Sequence, residues 1–295
     1  MARHSVESEV AGPWSLENSR AFWEDMAPVP PAESGGAGAA LRTVFHADAD
    51  WRRVGAEVTQ SGSTARVTVT GEGDLDAAAE QVRRFLSLDV DARGWPEIGA
   101  RDPVIGRIQA RRPGLRPCGF HSPYEAACWA VLTQRTGMPA AHRMRADLVS
   151  AYGTDGTFPS PGALLRLDAE LPWRKTEYLH SVAEAALDGV LDGAGLRSLE
   201  AGDAMRQVRE IKGLGAFAGE LVVIRGANHP DVLPVQEPRL TAEIAEQYGP
   251  GREVGEISDA WRPLRTWAAL HLRVQRGERL GTAASRAQDF GPAPK

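Results

Sequence analysis

The chain has 295 residues, 42% of them hydrophobic, a formal net charge of −5 and two cysteines, Cys118 and Cys128. That composition supports a sizeable core shared by two or three domains, while two cysteines exclude a disulfide framework and any four-cysteine zinc site or iron–sulfur cluster. No apolar run approaches the roughly 18 residues of a membrane span, and no signal-peptide apolar region opens the chain, so a cytoplasmic protein without a membrane partner is expected.

Residues 1–40 show little periodicity and read as an N-terminal extension and linker. Pro28 to Ala40 has the composition of a flexible connection, and Trp14, Phe22 and Trp23 before it suit a short docking helix. From Leu41 the pattern changes to strands. Val54–Thr59 and Ala65–Thr70 flank Ser61-Gly62-Ser63 as a hairpin, with Val67 and Val69 on one face. Asp74 then caps a helix carrying Leu75, Ala79, Val82 and Leu86 on one side. Residues 41–100 thus read as a small α/β domain.

Residues 101–282 read as helical throughout. Ser122-Pro123-Tyr124-Glu125 is a capping box with proline at the first helical position, and Tyr124, Ala127, Cys128, Val131 and Leu132 follow at core-helix spacing. Pro139 and Gly153 bracket a further helix, Ser160-Pro161 opens a short one, and another runs from Arg174 to Leu187. Two more begin near Pro238 and Trp261, and Ala283 to Lys295 reads as a loose tail. The expected fold is therefore mainly α, an all-α core preceded by a small α/β domain.

The net negative charge argues against a nucleic-acid partner, but its distribution does not. Residues 1–100 sum to −7 and residues 151–295 to −3, whereas residues 101–150 carry +5 through Arg101, Arg107, Arg111, Arg112, Arg116, Arg135, Arg143 and Arg145. A local basic stripe is enough to meet phosphates on an acidic protein. Solvated helix faces are the other reading of the same arginines.

Between Val208 and Leu240 the pattern carries chemistry. Lys212-Gly213-Leu214-Gly215 reads as a tight turn between two helices, the second starting at Ala216. Its bare amides and the orphan N–H groups of the following helix form an anion site suited to a phosphate. Some twenty residues later Glu237 lies between Pro234 and Pro238, a carboxylate on a stiff connection. A simple helix joint and a helix-dipole partner are the plain alternatives for these two features.

Ile211-Lys212-Gly213-Leu214-Gly215 with Ala218 and Leu221, followed by Asp231 to Leu240, resembles the helix–hairpin–helix and catalytic loop of the helix–hairpin–helix DNA glycosylase superfamily. The branch it resembles is 3-methyladenine DNA glycosylase II. Pro113 to Pro117 before Tyr124-Glu125-Ala126, Val131 to Gln134, Arg174 to Leu179 and Trp261 to Ala268 resemble other segments of that branch in the same order. The resemblance implies a monofunctional base-excision enzyme that flips and releases alkylated, 3-methyladenine-type bases. Its implied partner is double-stranded DNA with a damaged base, met by a monomer. No cofactor is expected beyond a monovalent cation that the hairpin turn could hold.

By the same resemblance Glu237 stands at the catalytic position, where the family carries Asp. Lys212, Gly213, Gly215, Ala216, Gln134 and Arg135 fall on DNA-contacting positions, and Tyr124, Phe217, Leu221 and Arg273 around the base pocket. Phe217 occupies the position of the lyase members' nucleophilic lysine, so no Schiff base is expected. Arg135 replaces an apolar wedge, and Arg273 replaces a pocket tryptophan. Plain readings remain beside these roles: a core aromatic for Phe217 and helix-end hydrogen bonding for Gln134. A DNA-binding protein with impaired catalysis on the same scaffold is the second functional reading. A metabolic enzyme using Glu237 on a small substrate is the third, and it leaves the hairpin unexplained.

Overall fold

A computed structural model describes residues 1–26 and 40–289. The chain divides into two compact units, Met1–Arg93 with Gly114–His229, and Gly94–Pro113 with Pro230 onward.

The first unit opens with strand β1 (Ala2–Glu9), helix α1 (Leu16–Met26), β2 (Leu41–His46), β3 (Arg53–Ser61), β4 (Thr64–Gly71) and α2 (Leu75–Phe85). The strands form one antiparallel sheet in the order β1-β4-β3-β2. Alternation places Leu41, Phe45, Val54, Ala56, Val58, Ala65, Val67 and Val69 on its buried face, against Ala78, Ala79, Val82 and Phe85 of α2. Asp74 caps α2 by accepting from the Ala77 amide at 2.9 Å.

Two features of this region differ from the sequence reading. Ala2–Glu9, read as part of an extension, is an edge strand paired with β4 from Ala2↔Gly71 to Glu9↔Thr64. Its inward residues are His4, Val6 and Ser8, only one of them apolar, so no apolar alternation marks it. The linker reading of Pro28–Ala40 lies, apart from Ala40, outside the described residues. The docking helix is present as α1, with Phe22 and Trp23 buried.

Arg116 locks this N-terminal segment in place. Fully buried, its guanidinium donates to the carbonyls of Ala11, Pro13, Ser87 and Val90 at 2.5, 3.1, 2.7 and 2.9 Å. Burial lowers its pKa to about 10. The positive stripe read from the sequence is thus partly structural. Arg145 is also buried, beside Glu125 and over the Phe158 ring, and Arg101, in the second unit, donates to the carbonyls of Ala260 and Arg262.

The helical part of the first unit comprises α5 (Pro123–Thr133), α6 (Met138–Tyr152), α7 (Pro161–Leu164), α8 (Lys175–Leu187), α9 (Gly193–Ser198), α10 (Ala201–Arg209) and α11 (Ala216–Leu221), which runs on into a π-helical turn, Val222–Gly226. Ser122 caps α5 by accepting from the Glu125 amide at 3.2 Å. The Glu125 carboxylate does not complete the box, because it faces His121 and Arg145 instead. Tyr124, Ala126, Ala127, Cys128, Ala130, Val131 and Leu132 are all buried, which makes α5 a central helix. Burial pushes the Cys118 thiol up to about 12 and raises that of Cys128, so neither is a nucleophile at neutral pH.

The second unit joins α3 (Trp95–Arg101) and α4 (Pro103–Arg111) to α12 (Pro238–Tyr248), α13 (Val254–Asp259) and α14 (Arg265–Asp289). Asp102 is its pin. One carboxylate oxygen caps α4 through the Val104 and Ile105 amides, and the other accepts from the Tyr248 hydroxyl at 2.7 Å and the Trp261 indole at 2.8 Å. Trp95 packs against Trp267 and His271. Trp261 precedes the last helix rather than opening it, since α14 starts at Arg265, just after Pro263. Residues 283–289, read as a loose tail, continue α14.

Candidate functional site

The hairpin lies between α10 and α11. Gly213 has φ +92°, and a Cβ there would stand 2.3 Å from the Tyr178 ring, so both conformation and space demand glycine. Gly215 is different. Its backbone is extended (φ −100°), and nothing lies within 4 Å of a Cβ built on it. Neither the backbone nor the packing of this unit requires glycine at 215. The exposed face beside Gly215 and Ala216 is bare, and the first amides of α11 have no carbonyl within their own helix.

The turn that follows α5 and the helix α8 hold the hairpin in shape. The Gln134 side-chain amide donates to the Gly213 carbonyl at 2.7 Å. The backbone carbonyl of Gln134 in turn accepts from Lys175 Nζ at 2.6 Å, and the Val131 carbonyl from the same ammonium at 2.8 Å. A cation at the C-terminal carbonyls of α5 is well placed, and burial lowers its pKa. One turn on, Tyr178 forms the floor under Gly213, and Leu179 is fully buried. The resembled segment Arg174 to Leu179 therefore has a physical content: Lys175 caps one helix while Tyr178 supports the hairpin.

Around this frame several side chains remain exposed. Phe217 is 49% exposed, and Leu221 is half-buried on the same short helix. Lys212 pairs with Glu177, which also takes two hydrogen bonds from Arg174 at 2.6 and 2.7 Å. Those cations hold the Glu177 carboxyl at about 2. Arg135 is exposed, adopts a left-handed backbone (φ +50°) and lies over the Trp173 ring at 5.7 Å. Tyr124 sits apart from these groups. It is buried with its hydroxyl on the Pro159 carbonyl and its ring against Trp51, which leaves no face open for a base.

In the second unit, the loop before α12 is gripped by the start of α14. Asp231 accepts from the Arg265 backbone N–H and Nε at 3.0 and 2.9 Å. The Thr266 hydroxyl accepts from the Val232 amide and donates to its carbonyl, both at 2.9 Å. Six residues past Asp231, Glu237 caps α12, one oxygen accepting from the Arg239 amide at 3.1 Å. The other oxygen lies 3.5 Å from Arg273 Nε. With its side chain 31% exposed, Glu237 presents an open carboxylate on a braced loop. Among the described residues no group of three or more His, Cys, Asp or Glu side chains is placed to hold a metal ion.

No protein-family model matches the chain. A DNA-3-methyladenine glycosylase of Bacillus subtilis is 25% identical to it over 210 residues, covering 65% of this chain and 69% of that protein. DNA-3-methyladenine glycosylase 2 of Escherichia coli is 27% identical over 219 residues, covering 69% and 74%. The solved structure of a 3-methyladenine DNA glycosylase from Archaeoglobus fulgidus matches 92% of this chain and 98% of its own, with a TM-score of 0.72 at 17% identity. This chain resembles 3-methyladenine DNA glycosylase II. Its fold is the helix–hairpin–helix glycosylase fold, mainly α with a small N-terminal α/β part.

Three contacts that shape these sites escaped the sequence reading. Lys175 was visible only as part of a resembled segment, since a lysine at a helix start carries no sign that it will cap another helix. Asp231 and Arg265, 34 residues apart, carry no local pattern. The loose contact between Arg273 and Glu237 depends on the packing of α14 beside α12.

Proposed function

We propose that this chain is a monofunctional DNA glycosylase that hydrolyses the N-glycosidic bond of alkylated bases in double-stranded DNA. The observation that carries the reading is Glu237, an open carboxylate capping α12 on a loop braced by Asp231–Arg265 and Thr266.

As the bond between base and deoxyribose lengthens, positive charge grows on the sugar. A fixed carboxylate stabilises that charge and orients the attacking water, taking its proton. The target nucleotide must first leave the duplex stack. The hairpin at Gly213–Ala216 serves this by gripping a backbone phosphate, with exposed Phe217 available to stack on a base. Phe217 has no amine, so hydrolysis proceeds without a covalent imine and the DNA strand is left intact.

The test is base release from alkylated duplex DNA by the purified chain and by Glu237→Gln. Wild-type release at least about a hundredfold faster than the variant is expected, the usual loss for one electrostatic stabiliser. Equal release by both proteins would favour a DNA-binding protein without catalysis. Borohydride treatment on abasic DNA should trap no adduct; one mapping to Lys212 would refute the monofunctional assignment.

A further inference from the structure

Arg273, Arg276 and Arg279 are spaced by three residues on one side of α14. Arg276 lies within 3.5 Å of Glu243 and 3.3 Å of Glu246, and Arg279 pairs with the same two carboxylates. Glu243 is fully buried, so these contacts are the structural rungs between α12 and α14. Arg273 is not paired in this way. Among the described residues its one ion-pair partner is Glu237, at 3.5 Å, with the side chain only 17% exposed; its Nε, like those of Arg276 and Arg279, makes no hydrogen bond. Two arginines of the row are each matched to two acids. The third stands beside the candidate catalytic carboxylate, Glu237, alone.

A carboxylate that stabilises the reacting sugar lies within a few ångströms of the anomeric carbon. A guanidinium next to it is therefore within reach of the base attached to that carbon. We infer that Arg273 determines which alkylated bases are released, favouring uncharged ones over those with a formal positive charge. The inference rests on the reading of Glu237 as the carboxylate at the sugar.

The chemistry follows from charge. A cationic base brought to about 7 Å from a guanidinium is disfavoured on the order of tenfold or more at an effective dielectric of about 20 to 40. An uncharged base departs with the electron pair of the broken carbon–nitrogen bond and carries developing negative charge. The Arg273 N–H groups donate to that charge while the arginine stays protonated. Water oxygen bonds to the anomeric carbon, and its proton passes through Glu237 to the departed base. With a cationic base the same bonds break and form, the base leaves neutral, and the water proton goes to solvent.

The test compares single-turnover release of 1,N6-ethenoadenine, uncharged, and 7-methylguanine, cationic, from otherwise identical duplexes. Wild type should favour ethenoadenine relative to Arg273→Gln. That variant should lose roughly tenfold in ethenoadenine release, as for a weakened electrostatic donor, while 7-methylguanine release holds or rises. Arg273→Lys keeps the charge and should keep the bias, and it carries the same test if the glutamine variant fails to fold. Equal loss on both substrates would make Arg273 another structural rung and overturn the inference while leaving the glycosylase reading intact. Wild-type release of neither base above the Glu237→Gln level would overturn both.

Discussion

Gln134 and Gly213, 79 residues apart, are joined by a 2.7 Å hydrogen bond from side-chain amide to backbone carbonyl. Because Lys175 holds the Gln134 carbonyl at the same time, the end of α5, the start of α8 and the hairpin form one frame. Replacing Gln134 by Leu removes a single hydrogen bond worth about 1 kcal/mol and leaves the Lys175 contact in place. DNA affinity should fall about fivefold through a loosened hairpin, with a small drop in melting temperature. Unchanged affinity in a salt-controlled binding titration would show that the bond does not shape the grip.

The two hairpin glycines should separate folding from binding. Gly213→Ala forces a side chain into the Tyr178 ring at a left-handed backbone position, and the loss of stability should exceed about 2 kcal/mol. Gly215→Ala meets open space and extended backbone, so chemical denaturation should place it within about 0.5 kcal/mol of wild type. Gly215→Glu should fold as well yet bind DNA poorly, by bulk and charge. Full binding by that variant would move the phosphate grip elsewhere.

Arg116 carries a stability prediction. Arg116→Met leaves four carbonyls without their donor, those of Ser87 and Val90 buried and those of Ala11 and Pro13 part-buried, and the cost should be on the order of 3 kcal/mol or more. The loss should show as early unfolding of the N-terminal strand and α1 in hydrogen exchange. A variant as stable as wild type would mean that water replaces the guanidinium.

The Glu177 carboxyl, held at about 2 by hydrogen bonds from Arg174 and Lys212, has an ordinary value of 4.5. A carboxyl lowered in the folded state contributes stability above its unfolded pKa and loses it as pH falls through the folded one. Wild type should therefore exceed Glu177→Gln in stability above about pH 4.5, with the difference fading toward pH 2. A difference that grows on acidification would contradict the assignment.

Glu237→Asp tests the geometry of the catalytic loop. The shorter side chain retreats from Arg273 by roughly 1.5 Å, a displacement that can change rate about a hundredfold. Because Asp231, Arg265 and Thr266 brace the loop, the backbone is not free to compensate, and base release should change by more than DNA affinity does. Equal changes in both would indicate a collapsed loop instead.

Local signals in the sequence were sufficient for much of this protein. A hairpin pattern marked β3 and β4, Ser122 and Asp74 marked their helix starts, and the Gly-x-Gly turn with the proline-flanked Glu237 marked the candidate site. Each depends on backbone conformation or on residues a few positions apart, so a reading along the chain finds it. The tertiary structure decided the rest, because the partners lie far apart in sequence. β1 is a strand through its pairing with β4, with no apolar alternation to mark it. Arg116 and Arg145 look like surface charge in a basic stretch, yet carbonyl and carboxylate partners from other segments draw them inside. Gly213 is required by the Tyr178 ring and its own backbone angle, whereas Gly215 is left free. Desolvation, long-range hydrogen bonding and steric contact are properties of the folded surroundings, and they assign different roles to residues that look alike in the sequence.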